Sequence, residues 1–252
     1  MKDVNIILVK SMITSLTNPQ VKNLLKLHQK KYRDESKSFL IEGEHLVSEA
    51  LLSNSLELLI VTEEYSGSIS FDKTLFITQK IGDKLSFTQS GSSLFGLCKI
   101  KETTEFYGTR YLLCDQIQDP GNLGTMIRSA HSFGFDGVIV SNDSVDFYND
   151  KVIRATQGAL FHVDLIRDDL KKVIKELKAK NIKVLATDVH KAKPLGSFEN
   201  HDVGLIVGNE GQGVSDALLS LSDDLVKIET AHFESLNVAV ASSILMYHFR
   251  KN

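Results

Sequence analysis

From about residue 109 to its end, the chain alternates short apolar runs with helix-periodic segments. That alternation restricts the fold more than any other feature of the sequence. Residues 111–114, 137–140, 160–163, 182–186, 204–207 and 225–228 read as strands; 123–133, 150–156, 168–180, 214–221 and 236–249 read as helices. Strands that alternate with helices build a mostly parallel sheet covered on both faces. Ligands of such sheets sit in the loops at the carboxyl ends of the strands, so those loops are where chemistry is to be sought.

The first hundred residues form a smaller α/β pattern. Asn18-Pro19 opens a helix, because Asn caps and Pro fits the first turn, and Val21, Leu24, Leu25 and His28 recur at helical spacing. A strand at 39–41 ends at Gly43, 44–52 reads as a helix and 56–61 as a strand. Residues 75–78, a short helix and 94–100 complete the unit. The expected organisation is an N-terminal extension at 1–12, with Met12 as a second start, a first domain at 13–100, a linker at 101–108 and a second domain at 109–252. The linker is placed where the chain turns polar and loses periodicity.

At 252 residues, with 42% apolar and 24% charged side chains, the composition is that of a globular protein. The apolar stretch at 4–9 is too short to span a bilayer and precedes no cleavage site, so a cytoplasmic location is expected. Cys98 and Cys114 lie in apolar runs and read as buried, reduced thiols. The net charge of −3 speaks against nucleic acid, but the charge is unevenly spread. Between residues 18 and 38, Lys22, Lys26, Lys30, Lys31, Arg33 and Lys37 face only Asp34 and Glu35, a net of +4. Between 171 and 193, eight lysines face Glu176 and Asp188, which reads as a solvated helix face. His28, His45, His131, His162, His190, His201, His232 and His248 show no metal-ligand spacing and read as surface or packing residues.

Three loops carry unusual composition. The first, DQIQDPGNLG at 115–124, is followed by Arg128, one helical turn beyond Gly124. Gly124 lets the backbone come close to a ligand, and an arginine so placed suits phosphate. The second, LIVGNEGQGVS at 205–215, is a glycine-rich strand-to-helix turn whose glycines, Gly208 first, imply close approach of the backbone to a ligand rather than a plain connection. Its glycines fall in the wrong order for a dinucleotide fingerprint, and no P-loop lysine follows. The third, ESLNVAVASSILMY at 234–247, offers Ser235 as an N-cap, Asn237 in the first turn and small residues for close packing.

Together the loops resemble the three motifs of the SpoU (TrmH) branch of the SPOUT RNA methyltransferases. Asn122, Gly124 and Arg128 match the first; Gly208, Asn209, Glu210 and Gly213 the second; Ser235, Leu236, Asn237, Val238 and Ala241 the third. The segment KVIRATQGAL at 151–160 is similar to the family's stretch between the first two motifs. NPQVKNLLKL and FLIEGEHLVSEAL resemble the small ribosomal-protein-like domain that many members carry in front. The likeness therefore runs from about Ile13 onward. One departure is that Glu229 follows Ile228, where the family has a proline.

The resemblance implies a small α/β RNA-binding domain followed by a parallel-sheet domain with a C-terminal trefoil knot, working as a homodimer. It implies transfer of a methyl group from S-adenosylmethionine to a ribose 2′-hydroxyl of RNA, without metal. Large-subunit ribosomal RNA is the first expectation and tRNA the alternative. The cofactor would be held around Gly208, Asn209, Gly213, Ile228, Leu236 and Asn237. Arg128 is the family's key residue. A guanidinium offers donors and no acceptor and is an awkward base, so a phosphate clamp that also stabilises charge on the 2′-oxygen fits it better. Glu210 is a candidate proton acceptor or loop holder. Asn122, Ser235 and Asn237 would position substrate or Arg128. Lys22, Lys26, Lys30, Lys31 and Arg33, with Arg128, would contact RNA.

Two readings from other classes compete. One is an RNA-binding relative without activity, against which the intact Asn122, Arg128, Glu210, Ser235 and Asn237 argue. The other is a nucleotide-dependent oxidoreductase or hydrolase, against which the absent phosphate-loop and dinucleotide fingerprints weigh.

Overall fold

The computed structural model describes residues 12–103, 105–232 and 236–251. The chain divides into two compact units, one ending at Ile100 and the other starting at Lys101. Apart from Met12, the expected N-terminal extension lies outside the described residues.

The first unit holds strands β1 (Ser38–Glu42), β2 (Leu56–Thr62), β3 (Thr74–Ile77) and β4 (Leu94–Lys99) in the order β1-β4-β2-β3. β4 runs antiparallel to both its neighbours, and β2 pairs parallel with β3. Helices α1 (Pro19–Lys26), α2 (Lys30–Ser36), α3 (Glu44–Leu52) and α4 (Gln79–Leu85) complete it. Asn18 caps α1, accepting from the Gln20 N–H at 2.8 Å, and turns Val21 and Leu24 onto a core with Leu40, Ile60, Ile77 and Phe95. Ile13 adds a bridge to Ile77 at the free edge of β3.

Helix α2 is invisible to periodicity because its sequence, KKYRDES, has no apolar face. Its buried residue is Arg33, whose guanidinium donates to the Leu27 carbonyl oxygen at 2.7 Å. Arg33, expected on the RNA-gripping surface, is thereby corrected. It is 6% exposed and fastens the turn between α1 and α2, so it has no free face to offer a phosphate.

The second unit is a seven-stranded, wholly parallel sheet: β5 (Arg110–Cys114), β6 (Gly137–Val140), β7 (Asp164–Arg167), β8 (Lys183–Thr187), β9 (Lys193–Pro194), β10 (Val203–Val207) and β11 (Asp224–Lys227). Their order is β7-β6-β5-β10-β8-β11-β9. Its helices are α5 (Pro120–Ser132), α6 (Asp150–Thr156), α7 (Leu170–Ala179), α8 (Asp216–Leu219) and α9 (Val238–His248). The central strands β5 and β10 are almost wholly buried, as the unbroken apolar runs of a doubly covered parallel sheet require. From β5 the chain moves outward to β6 and β7; from β10 it crosses β8 to reach β11. The connections diverge at the β5–β10 pair, and such a switch opens a crevice at the carboxyl ends.

Three expectations change. Residues 160–163 are not a strand: Ala159–Phe161 form a 3-10 turn, and the strand is Asp164–Arg167. Gln157 and Gly158 are both left-handed and stop α6, so Ala159 and Leu160 reach the core from a turn. An edge strand such as β7 tolerates the charged residues that hid it. The last helix begins after Asn237, not after Ser235. Asn237 is the N-cap, its side chain accepting from the Ala239 and Val240 N–H groups at 2.9 and 3.3 Å; Ser235 lies outside the described residues. The segment read as a linker carries Phe106 into the core of the second unit, edge-on to Tyr111 at 5.4 Å. The lysines of α7 behave as a solvated face: Lys172 pairs with Asp168 and Glu176, and Lys178 with Asp223. Leu170, Val173, Ile174 and Leu177 point inward.

Candidate active site

The loops after β5 and β10 meet where the sheet diverges. Asp115, at the end of β5, is 5% exposed and accepts from the Ser215 N–H at 2.9 Å. Asn209 donates to the Gln116 carbonyl oxygen at 3.0 Å. The β10 loop is closed on itself: Asn209 and Gly213 exchange backbone hydrogen bonds of 3.1 and 2.9 Å, and the Asn209 side-chain oxygen accepts from Gly211 and Gln212. Gly213 sits at φ +72°, where a side chain is strained. A Cβ on Gly208 would lie 2.0 Å from the Gly213 carbonyl carbon. Gly208 was expected to make room for a ligand; the room it makes is for its own loop. Asn209 likewise spends its side chain on building that loop.

The third motif joins through one row of hydrogen bonds. Asn237 donates to the Asn122 side-chain oxygen at 3.1 Å, and Asn122 donates to Glu210 Oε1 at 3.0 Å. Because Asn237 Oδ1 is committed to the α9 N-terminus, its amide must donate onward, and the direction of the row is fixed. The backbone N–H of Asn122 is itself held by the N-cap Asp119 at 2.7 Å. Among the described residues, Glu210 Oε2 has no partner.

Beside this row lies a cleft of about 980 Å³ at the carboxyl ends of β8, β10 and β11. Its walls include all six positions expected around a cofactor: Gly208, Asn209, Gly213, Ile228, Leu236 and Asn237. Glu210, Thr187, Asp188, Val189 and Glu229 also line it. Asp188 accepts from the Lys191 and His190 N–H groups, each at 2.7 Å. The Lys191 N–H, aided by that of His190 and by the charge of both side chains, holds its carboxyl below the ordinary range against the opposing effect of burial. Burial pushes the nearby Cys114 thiol upward, with Asp115 and Glu210 acting in the same sense. A thiol so placed stays protonated and is no nucleophile.

Arg128 stands apart from the cleft. The Asn122 side of α5 faces α9, where Ser129 and Ser243 meet at 2.8 Å and the Ser242 hydroxyl reaches Met126 at 3.2 Å. Gly124 faces α6, and a Cβ there would lie 2.4 Å from that of Ala155. That glycine was expected to admit a ligand; it admits a helix. Arg128 follows Asn122 by six residues, which at 3.6 residues per turn points it about 120° away. It is exposed, and among the described residues its guanidinium has no hydrogen-bond or ion-pair partner. One turn further on, His131 stacks against His162 at 4.9 Å.

Arg167, at the end of β7, plays a part that the sequence did not disclose. Its guanidinium donates to the carbonyl oxygens of Ser141, Asn142, Ser144 and Val145 at 2.6–3.0 Å. The loop so gathered supports the first motif, because Ser141 accepts from the Gln116 N–H and Ser144 from that of Ile117. A charged residue ending an edge strand carries no sequence sign of such a task. Among the described residues, no three His, Cys, Asp or Glu side chains group as metal ligands would, and no helix is long and apolar enough to cross a membrane.

Residues 109–247 match the model of the SpoU rRNA Methylase family, and residues 18–96 match that of the MRM3-like substrate binding domain. The chain is 38% identical over 244 residues to the 23S rRNA (guanosine(2553)-2′-O)-methyltransferase RlmP of Bacillus subtilis, covering 94% of this chain and 98% of that protein. Its fold is similar to that of an S-adenosylmethionine-bound rRNA methyltransferase from Sinorhizobium meliloti, with a TM-score of 0.83 at 28% identity over 95% and 97% of the two chains. It is similar as well to an RNA 2′-O ribose methyltransferase of known structure, with a TM-score of 0.79 at 29% identity over 95% and 98% of the two chains.

Proposed function

The chain belongs to the SpoU rRNA methylase family, and from that premise we propose that it methylates a ribose 2′-hydroxyl of ribosomal RNA, with S-adenosylmethionine as methyl donor. The observation that carries this reading is the Asn237–Asn122–Glu210 row, which ties three separate loops together at the rim of one cleft.

The cleft suits that cofactor. Its volume lies within the range of small-ligand pockets, about 300–1,000 Å³. Val189, Ile228 and Leu236 offer apolar walls for a base, the 208–213 backbone offers polar edges, and Asp188 and Glu229 offer carboxylates to cationic groups. When bound, the cofactor supplies a methyl group on a positively charged sulfur, ready for displacement. The residues of the chain align the attacking hydroxyl and manage its proton. Asn122, fixed between Asn237 and Glu210, presents a preset amide. Oε2 of Glu210, without a partner among the described residues, serves as acceptor for the 2′-hydroxyl proton. Arg128 clamps a phosphate beside the target with its planar guanidinium fork and stabilises the developing oxyanion.

The direction of Arg128, away from its own cleft, supports use of a second copy of the chain. So does α9, where Val240, Ile244 and Tyr247 are 49%, 38% and 55% exposed along one stripe. A homodimer that covers this stripe would bring one protomer's Arg128 toward its partner's cleft. The knotted threading from β10 to α9 belongs to the same reading and is supported by β10 and β11 entering the sheet on either side of β8. The first unit grips RNA through Lys22, Lys26, Lys30 and Lys31, all exposed. The Lys30–Asp34 and Lys31–Glu35 pairs are exposed and weak enough to yield to phosphate. With ribosomal RNA as its substrate goes the cytoplasmic location expected of the chain.

Ribose-methylation mapping of total RNA from cells with and without the gene tests the assignment. One ribosomal RNA position should lose its 2′-O-methyl group. A loss confined to tRNA would move the substrate, and an unchanged methylation map would refute the activity.

A further inference from the structure

Packing of the first unit's core does not account for the side chain of Tyr32. It lies in α2 beside the buried Arg33, yet it is not among the side chains packed on the core around Val21, Leu24 and Leu27. It is half-buried, and among the described residues its hydroxyl has no hydrogen-bond partner. Two lysines approach its ring. The Lys26 ammonium, from the end of α1, stands 5.6 Å from the ring centroid, and that of Lys31, from the first turn of α2, stands 5.7 Å away. Neither is held firmly elsewhere: Lys26 reaches Asn23 at 3.4 Å, and Lys31 reaches Glu35 at 3.9 Å.

Such a group has a specific use. Ammonium groups over a ring at the surface gain little, so they are easily drawn off by phosphate. A base stacked on an aromatic ring gains more. A ring face can be offered only to a base already out of its helix, because a paired base has both faces stacked. We propose that Tyr32 is the stacking platform for one unpaired nucleobase, with Lys26 and Lys31 turning outward to the phosphates on either side of it. This rests on the reading of the first unit as the RNA grip and adds what that grip selects: a single-stranded or extruded nucleotide rather than a continuous duplex.

The chain contains no tryptophan, so Tyr32→Trp places the sole tryptophan at the proposed contact, where it is excited selectively beyond the tyrosine absorption band. The full-length variant is titrated at low salt with a short single-stranded oligoadenylate, and with a duplex of equal length. Quenching by the single strand, and much weaker quenching by the duplex, is expected. Tyr32→Phe should bind as the parent does, whereas Tyr32→Ala should lose about five- to a hundredfold in affinity for the single strand. Binding that depends on Lys22 and Lys30 but leaves the emission unchanged would overturn the platform while the basic grip stands. Equal quenching by single strand and duplex would overturn the selectivity. Binding indifferent to all four lysines and to Tyr32 would remove the grip itself, and the platform with it.

Discussion

Arg128 keeps its guanidinium in solvent, away from the cleft, while Asn122 and Glu210 are locked into the row beside it. The two kinds of placement separate the two kinds of work. A residue assigned to substrate should be dispensable for cofactor binding. Arg128→Lys keeps the charge but loses the planar fork that meets a phosphate with two bonds. Removing one preorganised oxyanion donor costs about a hundred- to a thousandfold in rate. Single-turnover methyl transfer should fall by roughly that factor in Arg128→Lys and at least as far in Arg128→Ala. Calorimetry with S-adenosylhomocysteine should show no change in either. Glu210 poses a sharper choice. Glu210→Gln keeps an oxygen for the Asn122 amide but cannot take up a proton. If Glu210 is the acceptor, single-turnover rates drop by about a hundredfold or more with cofactor affinity intact; if it only holds the loop, the rate stays near normal.

At the scale of elements, the site depends on the β10 loop closing on itself. Gly208→Val would drive side-chain atoms into the Gly213–Val214 backbone, so the loop must open or shift. Loss of S-adenosylhomocysteine binding by calorimetry is the expected result. A folded variant that binds normally would show that this loop does not shape the cofactor site. Much of this was legible in the sequence. The three loops, their order and the central strands follow from apolar runs punctuated by Asn, Gly and Asp, because a parallel sheet buries its strands on both faces. What escaped notice has physical causes. Helix α2 is held by one buried arginine rather than by an apolar face, and β7 is an edge strand with charged ends. Arg167 acts through four backbone carbonyls, which no side-chain pattern records. The reasons given for two glycines also changed: Gly124 and Gly208 are small for neighbouring protein rather than for a ligand, and both clearances are visible only once helices and loops are placed.

At the scale of the whole molecule, the proposal requires two copies of the chain. Val240, Ile244 and Tyr247 recur at i, i+4 and i+7, so their exposed side chains share one apolar face of α9, as an interface core requires. Ile244→Glu places a charge at its centre. It should give a monomer by light scattering, with methyl transfer lost because Arg128 then has no partner cleft, while S-adenosylhomocysteine still binds. A fully active monomer would refute the shared site. The activity itself is best tested by where the methyl group goes. Purified protein is supplied with labelled S-adenosylmethionine and ribosomal RNA from cells lacking the gene, and the product is hydrolysed in alkali. A 2′-O-methyl group blocks cleavage of the adjoining phosphodiester, so the label should appear in an alkali-resistant dinucleotide. It should vanish when the target ribose is replaced by 2′-deoxyribose. Label released as a mononucleotide, which marks a methylated base, or no incorporation at all, would contradict the assignment.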